Sequence, residues 1–320
     1  MDSSSPYRHD AALLLVVLIW GVNFPVLKAA LGAIHPHVIN VFRFIISAGT
    51  LGALYAAQRD TWDAGFFAPL RTHARQIVTL GLLGYVAYQI SFIIGIDYTT
   101  AGSAALIMAS APLWTAILSR VAGYERLGYV AWLGLLISLV GTGLVIAAGA
   151  DATLSGSLFG NLLMLLAAML WGAYTAFNKT VVHDVSPTGA TFFGILVALP
   201  FLAAIGLPYI DTVDWSAVNG WVWGAIVFSG GLSTGIAFAI WNTAVKAVGA
   251  SNTAVYSNLV PLVALLGGLV VLDESITWPQ MVGGGLIIGG LFVMRWEQRR
   301  KQQALEQVAR YGAATLPRDD

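Results

Sequence analysis

The chain has 320 residues, 58% of them hydrophobic and 10% charged, with a mean hydropathy of +0.77 and a formal net charge of zero. Soluble domains are nearer half apolar and a quarter charged, so the composition excludes an ordinary soluble protein and indicates an integral membrane one. Cysteine is absent, which excludes disulfides and thiol chemistry.

Apolar runs of about 20 residues, long enough to cross the hydrocarbon as helices, fall near 11–33, 38–57, 76–96, 99–120 and 128–149. A second set falls near 158–179, 188–207, 221–245, 250–272 and 277–295. They predict an all-α integral membrane fold of ten transmembrane helices in two sets of five. The first run has Arg8 as its basic flank and no small-residue cleavage site, so a retained span is expected rather than a signal peptide. The expected organisation is a tail at 1–10, a first repeat at 11–149, a polar linker at 150–157, a second repeat at 158–296 and a charged, Gln-rich soluble tail at 297–320. A short helix is expected in that tail before Gly312.

The two sets repeat one another. Trp20-Gly21 followed by Lys28 returns as Trp171-Gly172 followed by Lys179. Ala101, Pro112, Glu125, Gly134 and Gly141 return as Ala250, Pro261, Glu274, Gly283 and Gly290. Charge then sets orientation. With a cytoplasmic N-terminus, the inner loops, helix ends and tails hold all but two of the 16 Lys and Arg, among them Arg8, Arg59, Arg71, Arg75, Arg120, Arg126, Lys179, Lys246 and the run from Arg295. The outer loops carry Asp97, Asp151, Asp211, Asp214, Asp273 and Glu274 instead. This bias predicts two cytoplasmic termini. An odd number of spans per repeat then requires the second repeat to be inverted relative to the first.

These residues resemble the drug/metabolite transporter superfamily, in the branch built from two five-helix EamA repeats. The likeness rests on Trp20-Gly21 with Lys28, on Arg43-Phe44, and on Ala101-Gly-Ser-Ala-Ala through Pro112 to Glu125-Arg126, which returns as Ala250-Ser-Asn-Thr-Ala through Pro261 to Asp273-Glu274. The second repeat departs from the first in placing Phe192-Phe193 at the Arg43-Phe44 position and Ser275 after its Glu. The resemblance implies a transporter in the plasma membrane, the inner membrane in a bacterium. Its aromatic content is most similar to exporters of aromatic and other amino acids.

At about 1.5 Å rise per residue, Trp20 and Trp171 lie midway through their helices. Pro112 and Pro261 also fall near mid-span, where proline removes a backbone hydrogen bond. The pair is read as hinges, with packed kinks as the alternative. Tyr85, Tyr88, Gln89 and Phe92 share one helix face. Phe238, Trp241 and Asn242 are their counterparts, and Asn23, Phe24, Tyr174, Asn178, Tyr256, Ser257 and Asn258 add further polar and aromatic groups. Interhelical hydrogen bonding would satisfy each of the polar ones singly, whereas together they suit an aromatic-walled cavity. Trp221, Trp223 and Trp278 at helix ends are expected interface anchors.

No Asp or Glu lies well inside a span, which counts against a pump for lipophilic cations. Lys28 and Arg43 are the intramembrane charges. Arg43 would receive a substrate carboxylate or clamp helix-end carbonyls, and Lys28 would do the former or snorkel outward. Glycines at 134, 141, 283, 284, 285, 289 and 290 mark the fifth and tenth helices as a scaffold that contacts itself or a second copy. Gly231-Leu-Ser-Thr-Gly235 matches a hydrolase string, but His9, His35, His37, His73 and His183 lie in tails, loops or helix ends, so a base for Ser233 is lacking and no enzyme is expected. His35 and His37 are too few for a metal site. The expectation is a carrier of small amphipathic metabolites, amino acids first, outward by alternating access. Other metabolites, drugs or a non-transporting scaffold are the alternatives. The expected partners are a small-molecule substrate and the bilayer, with no cofactor, metal or nucleic acid, in a monomer or a homodimer.

Overall fold

The computed structural model describes residues 6–58, 65–123, 128–148, 155–182, 185–248, 253, 256–257 and 259–314. The described elements are all helical, as a bilayer demands when the backbone must satisfy its own hydrogen bonds. They are α1 Pro6–Ala30, α2 Pro36–Ala57, α3 Ala68–Tyr98, α4 Ala101–Val121 and α5 Tyr129–Ala148, then α6 Ser155–Val182, α7 Pro187–Gly206, α8 Gly220–Ala247, α9 Val260–Leu272 and α10 Trp278–Ala314. Eight are long and apolar enough to span a membrane; α9 and the Trp278–Met294 part of α10 are shorter apolar helices. Most of 249–258, where the ninth run begins, lies outside the described residues.

Local chemistry starts these helices where they start. Proline occupies the first turn of α2 and α7, where its missing N–H costs no bond. The Ser186 side chain caps α7, and Asn219 Oδ1 accepts from Trp221 N and Val222 N at the head of α8.

The inverted repeat is visible in the packing. A Cβ on Gly283 would lie 2.7 Å from the Gly141 carbonyl oxygen, and one on Gly290 would strike the Gly134 carbonyl. As α5 advances from 134 to 141, α10 therefore retreats from 290 to 283, and the two run antiparallel in backbone contact. The scaffold pair contact each other. On α2 and α7 likewise, Gly52 meets Phe192 while His37 and Val41 meet Gly206. The remaining contacts come in matched sets. α1 packs on α8 and α9 as α6 packs on α3 and α4, and α2 packs on α8 as α7 packs on α3. This is the contact pattern of a two-fold axis between inverted halves.

Three features go beyond the sequence expectation, the last by joining the helix expected in the tail to α10. α3 and α8 each contain a π-helical stretch, Leu82–Ala87 and Phe228–Ile236. α3 begins eight residues ahead of its apolar run, at Ala68. α10 does not stop at 296 but continues unbroken to Ala314. Residues 297–311 are rich in Gln and Arg, with Ala and Glu among the rest, all strong helix formers, and hold no glycine or proline to end the helix. Glu297 is thereby fixed where its carboxylate accepts from Ala131 N at the head of α5.

Candidate substrate-binding site

α4 is interrupted near its middle. Its first segment ends at Met108, Ala109 and Ser110 form a turn, and a second segment runs Ala111–Val121 with Pro112 in its first turn. α9 repeats the arrangement, with Leu259 in a turn and Pro261 in the first turn of Val260–Leu272. Both prolines thus sit at paired helix starts inside the bundle.

The Trp-Gly motif docks against these starts. A Cβ on Gly172 would lie 3.0 Å from the Ala111 carbonyl oxygen, and one on Gly21 would lie 3.1 Å from that of Val260. Each glycine lets the first helix of one repeat seat on the restarted helix of the other. The neighbouring tryptophan is turned inward. Trp20 and Trp171 meet edge to face at 6.2 Å between ring centroids. Trp20 also contacts Phe238 and Trp241, at 5.7 and 4.9 Å. Trp171 contacts Tyr88, Tyr174 and Phe238, each at 5.2 Å. Trp20 Nε1 donates to the Ser233 carbonyl at 3.1 Å, within the π-helical stretch of α8.

Trp20, Tyr88, Trp171, Phe238 and Trp241 wall a central cavity of about 150 Å³. Its lining includes Trp20, Asn23, Phe24, Arg43, Tyr88, Gln89, Pro112, Trp171 and Trp241 among the residues expected from sequence. Phe92, Phe238 and Ser257, also named from sequence, line it too, together with Met108, Thr115, Ser119, Thr175, Thr234 and Met294, which were not. Towards the end of the bundle where α1 starts and α10 leaves it, the lining reaches Ser119, Ser257 and Met294; towards the other it stops at Phe24, Phe92 and Ala105.

Beyond Phe24 and Phe92, whose centroids are 5.6 Å apart, the opposite end is filled. Leu27, Ile93, Ile96, Ala101 and Ala104 are all fully buried there. Glu274 accepts from Ala101 N at 2.7 Å and Gly102 N at 3.1 Å, so a carboxylate of the second repeat caps the head of α4 in the first. Gln280 Nε2 donates to Ser103 Oγ at 2.7 Å beside it. Lys28 does not reach the cavity; its ammonium donates to the Asp97 carbonyl at the tail of α3. Removing the cap should loosen this end. With Glu274→Gln, a membrane-impermeant maleimide should label an Ala104→Cys site faster from that face, against a background free of native cysteine. Equal labelling with and without Glu274→Gln would show that the cap does not hold the end shut.

Several expected residues stand apart from the cavity. Tyr85 and Tyr174 lie behind the wall, joined by a hydroxyl–hydroxyl bond of 2.5 Å. Asn242 Nδ2 donates to Thr191 Oγ1 at 2.8 Å on α7. For these three the interhelical alternative describes the packing, since buried polar groups in a bundle find partners on adjacent helices. Tyr256 OH donates to Asp10 Oδ1 at 2.6 Å, tying α1 to the chain ahead of α9. Pro261 sits one residue beyond the lining residue Val260, and Asn258 lies outside the described residues. Trp221, Trp223 and Trp278 are all exposed, at heads of helices on the same end. His35 stacks on Tyr209 at 4.1 Å, and burial holds its pKa below the usual imidazole range.

Arg43 is 1% exposed yet on the cavity wall. Nη1 donates to Asn40 Oδ1 at 2.8 Å and Gln89 Oε1 at 3.5 Å, and Nη2 donates to Thr234 Oγ1 at 3.3 Å. The clamp on helix-end carbonyls is not what forms, because the guanidinium is at mid-bundle and meets neutral side chains. The packing also revises its repeat partner. Gly230 presses on the Arg43 backbone as Gly81 presses on Gly194. Arg43 therefore corresponds in space to Gly194, not Phe192, and the room above that glycine is taken by the Tyr85 ring. The two-fold symmetry is broken where the arginine stands.

Inverted five-helix repeats, paired helix breaks and a central cavity with one filled end define a membrane transporter. The chain belongs to the EamA-like transporter family, whose model matches residues 9–147 and again 158–296. It is 28% identical to the uncharacterized transporter YyaM of Bacillus subtilis over 87% of this chain and 90% of that one. It is 27% identical to a probable amino-acid metabolite efflux pump of Escherichia coli, covering 92% and 98%. The corresponding Salmonella typhimurium pump is 28% identical, covering 89% and 94%. A solved crystal structure with 21% identity superimposes at a TM-score of 0.65 over 92% of this chain and 99% of the other, a likeness of fold alone.

Proposed function

We propose that this transporter exports small amphipathic metabolites, amino acids including aromatic ones first among them, by alternating access. The observation that carries the reading is the pairing of an aromatic-walled cavity with a buried arginine that has only neutral partners. Rings give affinity for an apolar side chain, and the guanidinium gives a place for a carboxylate. The names of the enteric relatives support the substrate class. The positive-inside pattern supports cytoplasmic termini, and the cavity then extends towards the cytoplasm, the loading side of an exporter. Pro112 and Pro261 are the hinges of the switch in this reading. The chain works as a monomer, with the α5–α10 contact made inside one copy.

The test is a substrate panel in proteoliposomes, run with and without a pH gradient. Saturable movement of aromatic amino acids above protein-free vesicles is expected. If sugars or nucleosides cross and amino acids do not, the substrate assignment falls; if nothing crosses, the export reading falls with it.

A further inference from the structure

Six buried side-chain N or O atoms among the described residues have no hydrogen-bond partner. Ser47, Trp114, Ser138 and Ser229 contribute four of them, and none of these residues lines the cavity. The other two are Arg43 Nε and Asn23 Oδ1, and both residues do. Arg43 is 1% and Asn23 4% exposed, so solvent at the protein surface does not serve them. One orphan is a cationic donor and the other a neutral acceptor. Leaving such groups unmade when buried is costly, and the cost is relieved by a ligand that supplies both partners.

We infer that the cavity reads a zwitterion, with Arg43 taking a carboxylate through Nε and the spare hydrogen of Nη2, and Asn23 Oδ1 accepting from the ammonium. Nη2 carries two hydrogens and uses one, on Thr234, so a second N–H beside Nε remains for a forked contact. Asn40, Gln89 and Thr234 fix the guanidinium plane and are positioning residues. A carboxylic acid without an amino group satisfies Arg43 but leaves Asn23 Oδ1 desolvated. An amine without a carboxylate satisfies Asn23 but is set against an uncompensated guanidinium. The ligand's side chain points to the Trp20, Trp171 and Trp241 rings. This deepens the amino-acid reading above and rests on it.

The test is binding to the purified full chain, followed by tryptophan fluorescence, with L-phenylalanine, 3-phenylpropionate and 2-phenylethylamine as probes. L-Phenylalanine should bind saturably, and each one-pole analogue should bind about tenfold more weakly or worse, the ratio expected for losing one partner of a buried charged hydrogen bond. Arg43→Gln should close the gap between L-phenylalanine and 2-phenylethylamine and leave the other gap open. Asn23→Leu should do the reverse. Should either variant fail to fold, the analogue series on the unsubstituted chain decides alone. Either analogue binding as tightly as L-phenylalanine, or no saturable binding of L-phenylalanine, overturns the inference. Transport is scored separately. A chain that moves L-phenylalanine but does not rank the probes keeps the export reading and loses this one, and a chain that ranks them but moves none does the opposite.

Discussion

Gly290→Leu should destabilise the protein severely, while Gly285→Leu and Gly289→Leu on the same helix should be close to neutral. A Cβ at 290 would meet the Gly134 carbonyl and the Ser138 amide of α5, and backbone cannot rotate aside as a side chain can. At 285 and 289 an added Cβ meets nothing within 4 Å, and both positions are exposed on the outer face of α10. Overpacking a tight site costs about 1–3 kcal/mol, and contact with backbone on both sides places Gly290→Leu at or beyond the upper end. Without a hydrophobic drive between helices in lipid, this close approach is itself what holds α5 to α10. Thermal unfolding of the purified protein, compared across the three variants, measures the difference. Identical melting curves would mean that the helices do not touch at these glycines.

Trp171→Ala should reduce transport about 30-fold or more, in line with the ~2 kcal/mol or greater cost of removing a central aromatic anchor. The Trp171 ring is only half-buried and touches Trp20, Tyr88, Tyr174 and Phe238, so it is the hub of the aromatic wall. Because it faces an existing cavity, truncation enlarges that space rather than opening a new void in a packed core. Stability should therefore fall far less than transport. Trp171→Phe keeps an apolar ring and should recover part of the rate. The readout is transport rate per folded molecule in proteoliposomes. Full activity of Trp171→Ala on every substrate moved by the unsubstituted chain would take the residue out of the site.

The parts legible beforehand share a physical cause. Bilayer thickness fixes how long an apolar run must be, so the spans could be read from the sequence, although the ninth is described only over its Val260–Leu272 part. The duplicated Trp-Gly and Gly pairs could be read because two copies of one unit keep their spacing. They were understood only through packing: Gly21 and Gly172 are there to seat a helix on the restarted segment of the other repeat. Tyr85, Tyr174 and Asn242 looked the same as Tyr88 and Gln89 in one dimension. A polar residue on a helix face meets either a cavity or a neighbouring helix, and composition does not distinguish the two. Thr234 was overlooked because a lone threonine in a glycine-rich stretch carries no signal, although it anchors Arg43.

The sequence by itself determined a membrane-embedded, doubled and inverted architecture, because hydrophobicity, charge bias and repeat spacing are properties of the chain in order. Only the tertiary structure decided which groups meet. It widened α3 and α8 into π-helical turns, paired Arg43 with a glycine rather than a phenylalanine, and filled one end of the cavity. Those outcomes depend on how side chains from six or more helices converge at one depth, and that convergence is set by packing between segments far apart in the chain.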